Sequence, residues 1–253
     1  MLRVRLESRT ALVTGGSRGI GRAAALAFAS EGADVVVTYA GRVDAAQAVV
    51  QEIEALGRSA LAVQGDVASE SDVRAVFDAA GEFVGSRGLN VLFNNAGIYP
   101  GGHIRDVSVE DWDRVIAVNV RGPFLCTQAA LPLLEAASPA RIINIGSVIP
   151  GLGVPGAIHY SAAKAAVAGF TRSLSRELAD SGINVNCVVP SMVETETTRR
   201  DYAGVEEEIV PSQSVPRYQQ PDDLQGALIF LASDESEFMT GQTVVVDGGR
   251  LLQ

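Results

Sequence analysis

Tyr160 and Lys164 stand four residues apart in HYSAAKAAVAGF, and Ser147 lies thirteen residues before the tyrosine. Residues four apart share one helical face, so on a helix this phenol and this ammonium can meet. A free tyrosine titrates near 10 and is a poor acid at neutral pH. A lysine charge about 4 Å away, at an effective dielectric of about 20, is worth roughly 4 kcal/mol. That predicts a phenol brought from about 10 to roughly 7, close to the optimum for a general acid. Taken alone, YxxxK is more often a surface pair on an Ala-rich helix. Its surroundings decide between the two.

The elements that must position these groups alternate strand and helix along the chain, the pattern of a parallel sheet covered by helices on both faces. Strands are expected at 10–14, 34–38, 60–64, 90–94, 141–145, 183–189 and 243–246. Helices are expected at 20–30, 43–56, 69–84 and from a Ser108 cap, with Asp111 three residues on, to about Leu134. Arg141 to Ile145 reads as the buried central strand, with Ser147 just past its end and a Gly- and Pro-rich loop leading to the Tyr160 helix. Trp112 reads as packing. The stretch 190–223, with four prolines and the acidic run Glu206–Glu208, reads as a lid or binding loop or as a solvated crossover.

Composition narrows the class. The chain has 253 residues, 47% hydrophobic, with 26 glycines and few aromatics, which suits parallel strands buried on both faces. One doubly wound domain over 1–253 is expected. The formal charge of −10 argues against a nucleic-acid partner, which needs a basic footprint. Cys126 and Cys187 lack CxxC spacing, and no His, Cys and carboxylate cluster has metal-ligand spacing. The basic N-terminal stretch has no apolar core and no run nears a membrane span, so a cytoplasmic protein is expected. His159 adjoins Tyr160 but belongs to a different helical face.

The first strand runs into Thr14-Gly15-Gly16-Ser17-Arg18-Gly19-Ile20-Gly21 and then into a helix. Glycines are needed where backbone approaches a pyrophosphate, and a helix N-terminus offers free N–H groups. A dinucleotide is the expected ligand of this turn. An acid at the end of the second strand would accept hydrogen bonds from an unphosphorylated ribose. This chain has Thr38-Tyr39-Ala40-Gly41-Arg42 there. With Arg18 nearby, Arg42 can clamp a 2′-phosphate. NADP(H) is therefore the expected cofactor, with NAD(H) staying open.

These residues resemble the short-chain dehydrogenase/reductase family in its shorter single-domain form. The resemblance spans nearly the whole chain: TGGSRGIG (14–21), Asp66, NNAG (94–97), Asn119 in VNVRG, Ser147, Tyr160, Lys164 and VDGG (246–249). It implies a mostly parallel seven-stranded Rossmann-type sheet and a set of roles. Tyr160 would be the proton donor in reduction, and Lys164 would lower its pKa and hold the nicotinamide ribose. Ser147 would hydrogen-bond the substrate carbonyl, and Asn119 would position a water beside Lys164. The implied cofactor set is Gly15, Ser17, Arg18, Gly19, Ile20, Gly21, Tyr39, Arg42, Asp66, Val67, Asn94, Ala96, Gly97, Tyr160, Lys164, Pro190, Val193 and Thr195. Asp66 and Val67 would meet the adenine, Asn94, Ala96 and Gly97 the adjoining ribose, and Thr195 the amide.

Within the family the chain resembles both 3-oxoacyl-carrier-protein reductases and secondary-alcohol dehydrogenases. Ser191 replaces the glycine usual after Pro190, which makes that turn less permissive. Acidic carrier proteins dock on basic patches in the first group; neither 134–138 nor 179–181 offers one, although Arg172, Arg176, Arg199 and Arg200 could still form a local patch. The expected activity is reversible NADP(H)-dependent reduction of a small free ketone, with carrier-bound 3-oxoacyl thioesters as the alternative. A non-catalytic dinucleotide sensor would have no physical reason to keep Asn119, Ser147, Tyr160 and Lys164 together. The 191–215 lid would shape the substrate pocket. A homotetramer is implied by the resemblance.

Overall fold

The computed structural model describes residues 4–252. Seven strands form one sheet: β1 Thr10–Val13, β2 Asp34–Tyr39, β3 Ala60–Gln64, β4 Val91–Asn94, β5 Ala140–Ile145, β6 Ile183–Pro190 and β7 Thr243–Val246. Their spatial order is β3-β2-β1-β4-β5-β6-β7 and every pairing is parallel. The sheet is thus wholly rather than mostly parallel. Its central strands are apolar runs buried on both faces, as helices on either side require. Strand order reverses between β1 and β4, and such a switch point opens a crevice at the carboxyl ends of the strands.

Helices α1 (Gly19–Ser30), α2 (Val43–Ala55) and α10 (Gln225–Ala232) bury Phe28, Ile53 and Leu231 against one face. On the other, α3 (Glu70–Val84), α5 (Gly122–Ala136) and α7 (Ile158–Glu177) bury Phe77, Leu134 and Leu174. The intervening helices are α4 (Val109–Ile116), α6 (Ile149–Leu152), α8 (Glu196–Asp201) and α9 (Glu206–Ile209). No helix among the described residues is long and apolar enough to cross a membrane.

Several expectations need correction. The helix expected from Ser108 to about Leu134 is α4 and α5 joined by a π turn, Ala117–Arg121, with Asn119 at its centre. Such one-residue insertions mark functional positions within helices. Ser108 caps α4 by accepting the Asp111 N–H at 3.0 Å. The Asp111 carboxylate answers with the Ser108 hydroxyl (2.8 Å). Trp112 retains 38% exposure and is not core packing. Helix α10 was not anticipated, because a short run apolar on every side has no helical period to read.

The 191–215 stretch carries the two short helices α8 and α9. Its base is tied down where Val193 bridges to Gln219 and the Ser191 N–H donates to Gln219 Oε1 at 2.9 Å. Ser191 is not among the residues with positive φ. The backbone there needs no glycine, which removes the anticipated restriction.

Candidate active site

Each element ends where the site needs it. Strand β5 stops at Ile145, and its carbonyl accepts a hydrogen bond from Lys164 Nζ at 2.8 Å. Lys164 is only 5% exposed, held by α7 directly beneath the tyrosine of the preceding turn. Its Nζ lies 5.6 Å from the Tyr160 ring centroid. Across the cleft, the π turn aims Asn119 inward. Asn119 Nδ2 donates to the Ile98 and Val115 carbonyls, both at 3.0 Å, and its Oδ1 is buried with no partner among the described residues. A Cβ on Gly97 would fall 2.7 Å from that Oδ1 and 3.8 Å from Lys164 Nζ, so the two polar groups converge on one spot.

The electrostatics depart from the expected depression of the phenol. Burial pushes Tyr160 up to about 12, with Tyr99 and Tyr202 adding to the rise and only the Ser147 hydroxyl pulling it down. Burial also brings Lys164 down to about 8. The ammonium binds the β5 carbonyl rather than the phenol. At this separation the charge does not offset the loss of water. Tyr160 is half-buried rather than fully enclosed.

A pH signature in stability follows. Lys164 falls from 10.5 in the unfolded chain to about 8 when folded. The unfolded chain binds more protons between these values, so stability rises with pH across that window. The burial penalty it relieves is about 3 kcal/mol, at 1.36 kcal/mol for each pH unit. Tyr160 acts in the opposite sense, losing stability as pH climbs from 10 toward about 12. In Lys164→Met the stability relative to wild type is expected to be greatest below pH 8 and to shrink by pH 10. Thermal melts at pH 7, 8.5 and 10 check this, and a difference independent of pH contradicts it.

At the other end of the crevice, Gly15 (φ +65°) and Gly19 (φ +54°) sit in left-handed backbone within the turn. Gly21 is required for a different reason: its Cβ would run into the Gly15 carbonyl and approach Asn95 Nδ2 to 2.5 Å. Asn95 donates to the Thr14 and Gly15 carbonyls at 3.0 and 3.2 Å, locking the turn to the end of β4. The N-terminus of α1 has no side-chain cap and no acid in its first turn. A close-packed turn leading to free N–H groups suits an anionic diphosphate. Ser17 is half-buried in the turn, and Ile20 packs back against the core.

The remaining predicted residues divide. Tyr39 is buried at the end of β2 opposite Gln64. Asp66 and Val67 line a hollow of about 10 Å³ with Thr14 and Thr38. One Asp66 oxygen accepts the Ala68 N–H and the other pairs with Arg114, both at 2.9 Å. Ala96 lies against Gly15. Asn94 does not line the crevice with its side chain. Only 2% exposed, it donates to Asn144 Oδ1 (2.9 Å) and Thr127 Oγ1 (3.2 Å), and Asn144 passes the relay to Thr171 (3.0 Å).

Pro190 ends β6 and Val193 is buried beyond it. Thr195 caps α8 and sets its methyl where a Gly19 Cβ would be 3.1 Å away. Arg18 is exposed. Arg42 is half-exposed, with Glu196 at 3.3 Å and Asp44 at 3.9 Å. Sequence reading missed Asn95, Tyr99, Tyr202 and Glu196. Asn95 was legible as the second residue of NNAG; the others are assembled across long separations.

Residues 15–250 match a family profile described as enoyl-(acyl carrier protein) reductase. The chain belongs to the short-chain dehydrogenase/reductase family. It is 44% identical over 248 residues to the 3-oxoacyl-[acyl-carrier-protein] reductase of Synechocystis, with 98% of each chain covered. It is 41% identical over 242 residues to the Staphylococcus aureus protein of that description, covering 96% of this chain and 98% of the relative. A Burkholderia cenocepacia short-chain dehydrogenase solved with NADP superposes with a TM-score of 0.92 at 39% identity, over 97% of this chain and 99% of that one. As a short-chain dehydrogenase/reductase the chain is an oxidoreductase, and its crevice and its Ser147, Tyr160 and Lys164 group share the carboxyl edge of one sheet.

Proposed function

We propose that this oxidoreductase reduces a small free ketone to a secondary alcohol, reversibly, with NADP(H). The observation that carries the reading is the burial of the Lys164 ammonium between Ile145 O, the Tyr160 ring and the unpaired Asn119 Oδ1. When bound, the nicotinamide supplies the hydride. Ser147 and Tyr160 hold the carbonyl oxygen by two hydroxyls, and Tyr160 gives its proton as negative charge develops there. With a pKa of about 8, Lys164 is largely cationic at neutral pH and stabilises the phenolate left behind. Asn119 Oδ1, buried without a partner beside Lys164 among the described residues, would accept a hydrogen bond from a water placed there.

Two features support a free substrate. Of the four arginines that could greet an acidic carrier, Arg199 is paired with Glu194 (2.7 Å) and Arg200 with Asp201 (2.6 Å). Arg172 and Arg176 are exposed on α7, a single turn of helix in a chain of net charge −10, too sparse to steer an acidic protein. The second reading, reduction of a carrier-bound 3-oxoacyl thioester, is favoured by the descriptions of the 41–44% identical relatives. Following NADPH oxidation with an aryl ketone, a cyclic diketone, and a 3-oxoacyl thioester free and carrier-bound separates them. Turnover of the free ketones without gain from the carrier supports the first reading; strong preference for the carrier-bound thioester replaces it with the second.

Cofactor choice has its own test. Arg42 is the cation at the end of β2, and Glu196 competes for its guanidinium. A charge-assisted bond to phosphate is worth about 1.5–3 kcal/mol, or roughly 10- to 100-fold. Arg42→Ala is expected to weaken NADPH binding at least tenfold and leave NADH unchanged. Glu196→Gln is expected to tighten NADPH severalfold. Fluorescence titration of both nucleotides reads this directly, and equal losses for the two would refute the assignment.

A further inference from the structure

Three tyrosines from separate parts of the chain meet at the mouth of the catalytic cleft. Tyr99 follows β4, Tyr160 opens α7 and Tyr202 closes α8 of the lid. The Tyr99 and Tyr160 rings stand 4.5 Å apart at 52°. Tyr99 and Tyr202 stack at 5.2 Å and 22°. The Tyr202 hydroxyl donates to the Tyr99 carbonyl at 2.6 Å, so the stack also fastens the lid to the loop beside the catalytic group. All three side chains are half-buried, as befits a wall open on one side. Burial raises the Tyr99 and Tyr202 phenols above the ordinary tyrosine range.

From this juxtaposition we propose that Tyr99 and Tyr202 are specificity-determining residues: they form an aromatic wall that selects carbonyl substrates bearing a flat ring next to the reacting carbon. The inference rests on the free-ketone reading above and deepens it to a substrate class. A ring beside Tyr160 packs on rigid π surface, and each aromatic pair adds to the gain from burial alone. A flexible acyl chain makes no such contact and loses rotamer freedom on entering. Neither Tyr99 nor Tyr202 touches the reacting atoms. Their effect belongs in the ratio of substrates rather than in the intrinsic rate.

The test compares kcat/KM for an aryl methyl ketone and an open-chain methyl ketone of matched carbon number, in wild type, Tyr99→Leu, Tyr99→Phe, Tyr202→Leu and Tyr202→Phe. The wild type is expected to favour the aryl ketone. Tyr99→Leu and Tyr202→Leu are each expected to cut that preference about tenfold, mostly through KM, while the phenylalanine variants retain it. Melting temperature and NADPH titration show whether each variant is folded and loaded. An aryl preference unchanged in both leucine variants overturns the wall, as does an equal loss for both ketones. Should the wild type reduce neither ketone, the free-ketone reading fails by itself. The wall is then judged by saturation-transfer NMR of the aryl ketone on the NADP-loaded protein. Saturation of the ring protons that disappears in Tyr99→Leu supports the wall, and saturation that persists there overturns it.

Discussion

Tyr160→Phe is expected to lower kcat for carbonyl reduction about a thousandfold and leave NADPH affinity and melting temperature close to wild type. The substitution deletes one hydroxyl and keeps the ring that packs at 4.5 Å from Tyr99. A positioned general acid contributes about 10²–10⁴ in rate, and the substitution removes that donor while keeping its ring in the packing. The Tyr202 hydroxyl is engaged with the Tyr99 carbonyl at 2.6 Å, and Ser147 is far too weak an acid to substitute. Steady-state kinetics beside a nucleotide titration separate the chemistry from binding. A variant retaining more than a tenth of wild-type kcat would remove Tyr160 from the role of proton donor. The pH profile adds a second reading. With the phenol at about 12, reduction is expected to be flat through neutrality, while alcohol oxidation, which needs the phenolate, climbs with pH.

Gly21→Ala is expected to be the most damaging single-methyl change in the crevice. The added carbon would collide with the Gly15 carbonyl and the Asn95 amide. The first is backbone, and the second is held by two hydrogen bonds to the same turn. Neither can yield without displacing the turn from the N-terminus of α1. Overpacking of this kind costs about 1–3 kcal/mol, or a fall in melting temperature of about 2–4 °C per kcal/mol in a domain of this size. Nucleotide affinity is expected to drop by more than tenfold, because the N–H groups that would face a bound diphosphate move with the turn. Gly41→Ala is the control: nothing lies within 4 Å of the added carbon, and both stability and binding are expected to survive. Equal behaviour of the two variants would show that the close packing at Gly21 is not what shapes the turn.

Local signals carried most of this molecule. The glycine turn, the apolar strands and the Tyr160 helix were each readable within a window of about twenty residues. Their periods and turn residues act over that range. Alternation of strand and helix implies a parallel sheet, but the strand order, and the crevice that follows from it, depend on crossovers that the alternation does not specify. What escaped was settled by partners distant in the chain. Tyr99 and Tyr202 are 103 positions apart and carry no shared pattern. Glu196 reaches Arg42 across 154, which turns an apparently free phosphate clamp into a contested one. The Tyr160 phenol was misjudged because helical spacing says that two residues are neighbours, yet says nothing of the β5 carbonyl that claims the ammonium. Asn94 was placed in the crevice through its motif, while the core relay to Asn144 and Thr171 holds its side chain.

The π turn at 117–121 has a consequence for how this enzyme can evolve. An α-helix advances about 100° per residue, so losing one residue there would let α4 and α5 merge into a single regular helix. It would also swing Asn119 away from Lys164 by about that angle. The regular helix is the more stable object on its own, and the interrupted one is what the chain retains. Selection for heat resistance alone would therefore press toward a deletion at this spot, and catalysis would press against it. A length polymorphism confined to those five residues would record which pressure a lineage has felt.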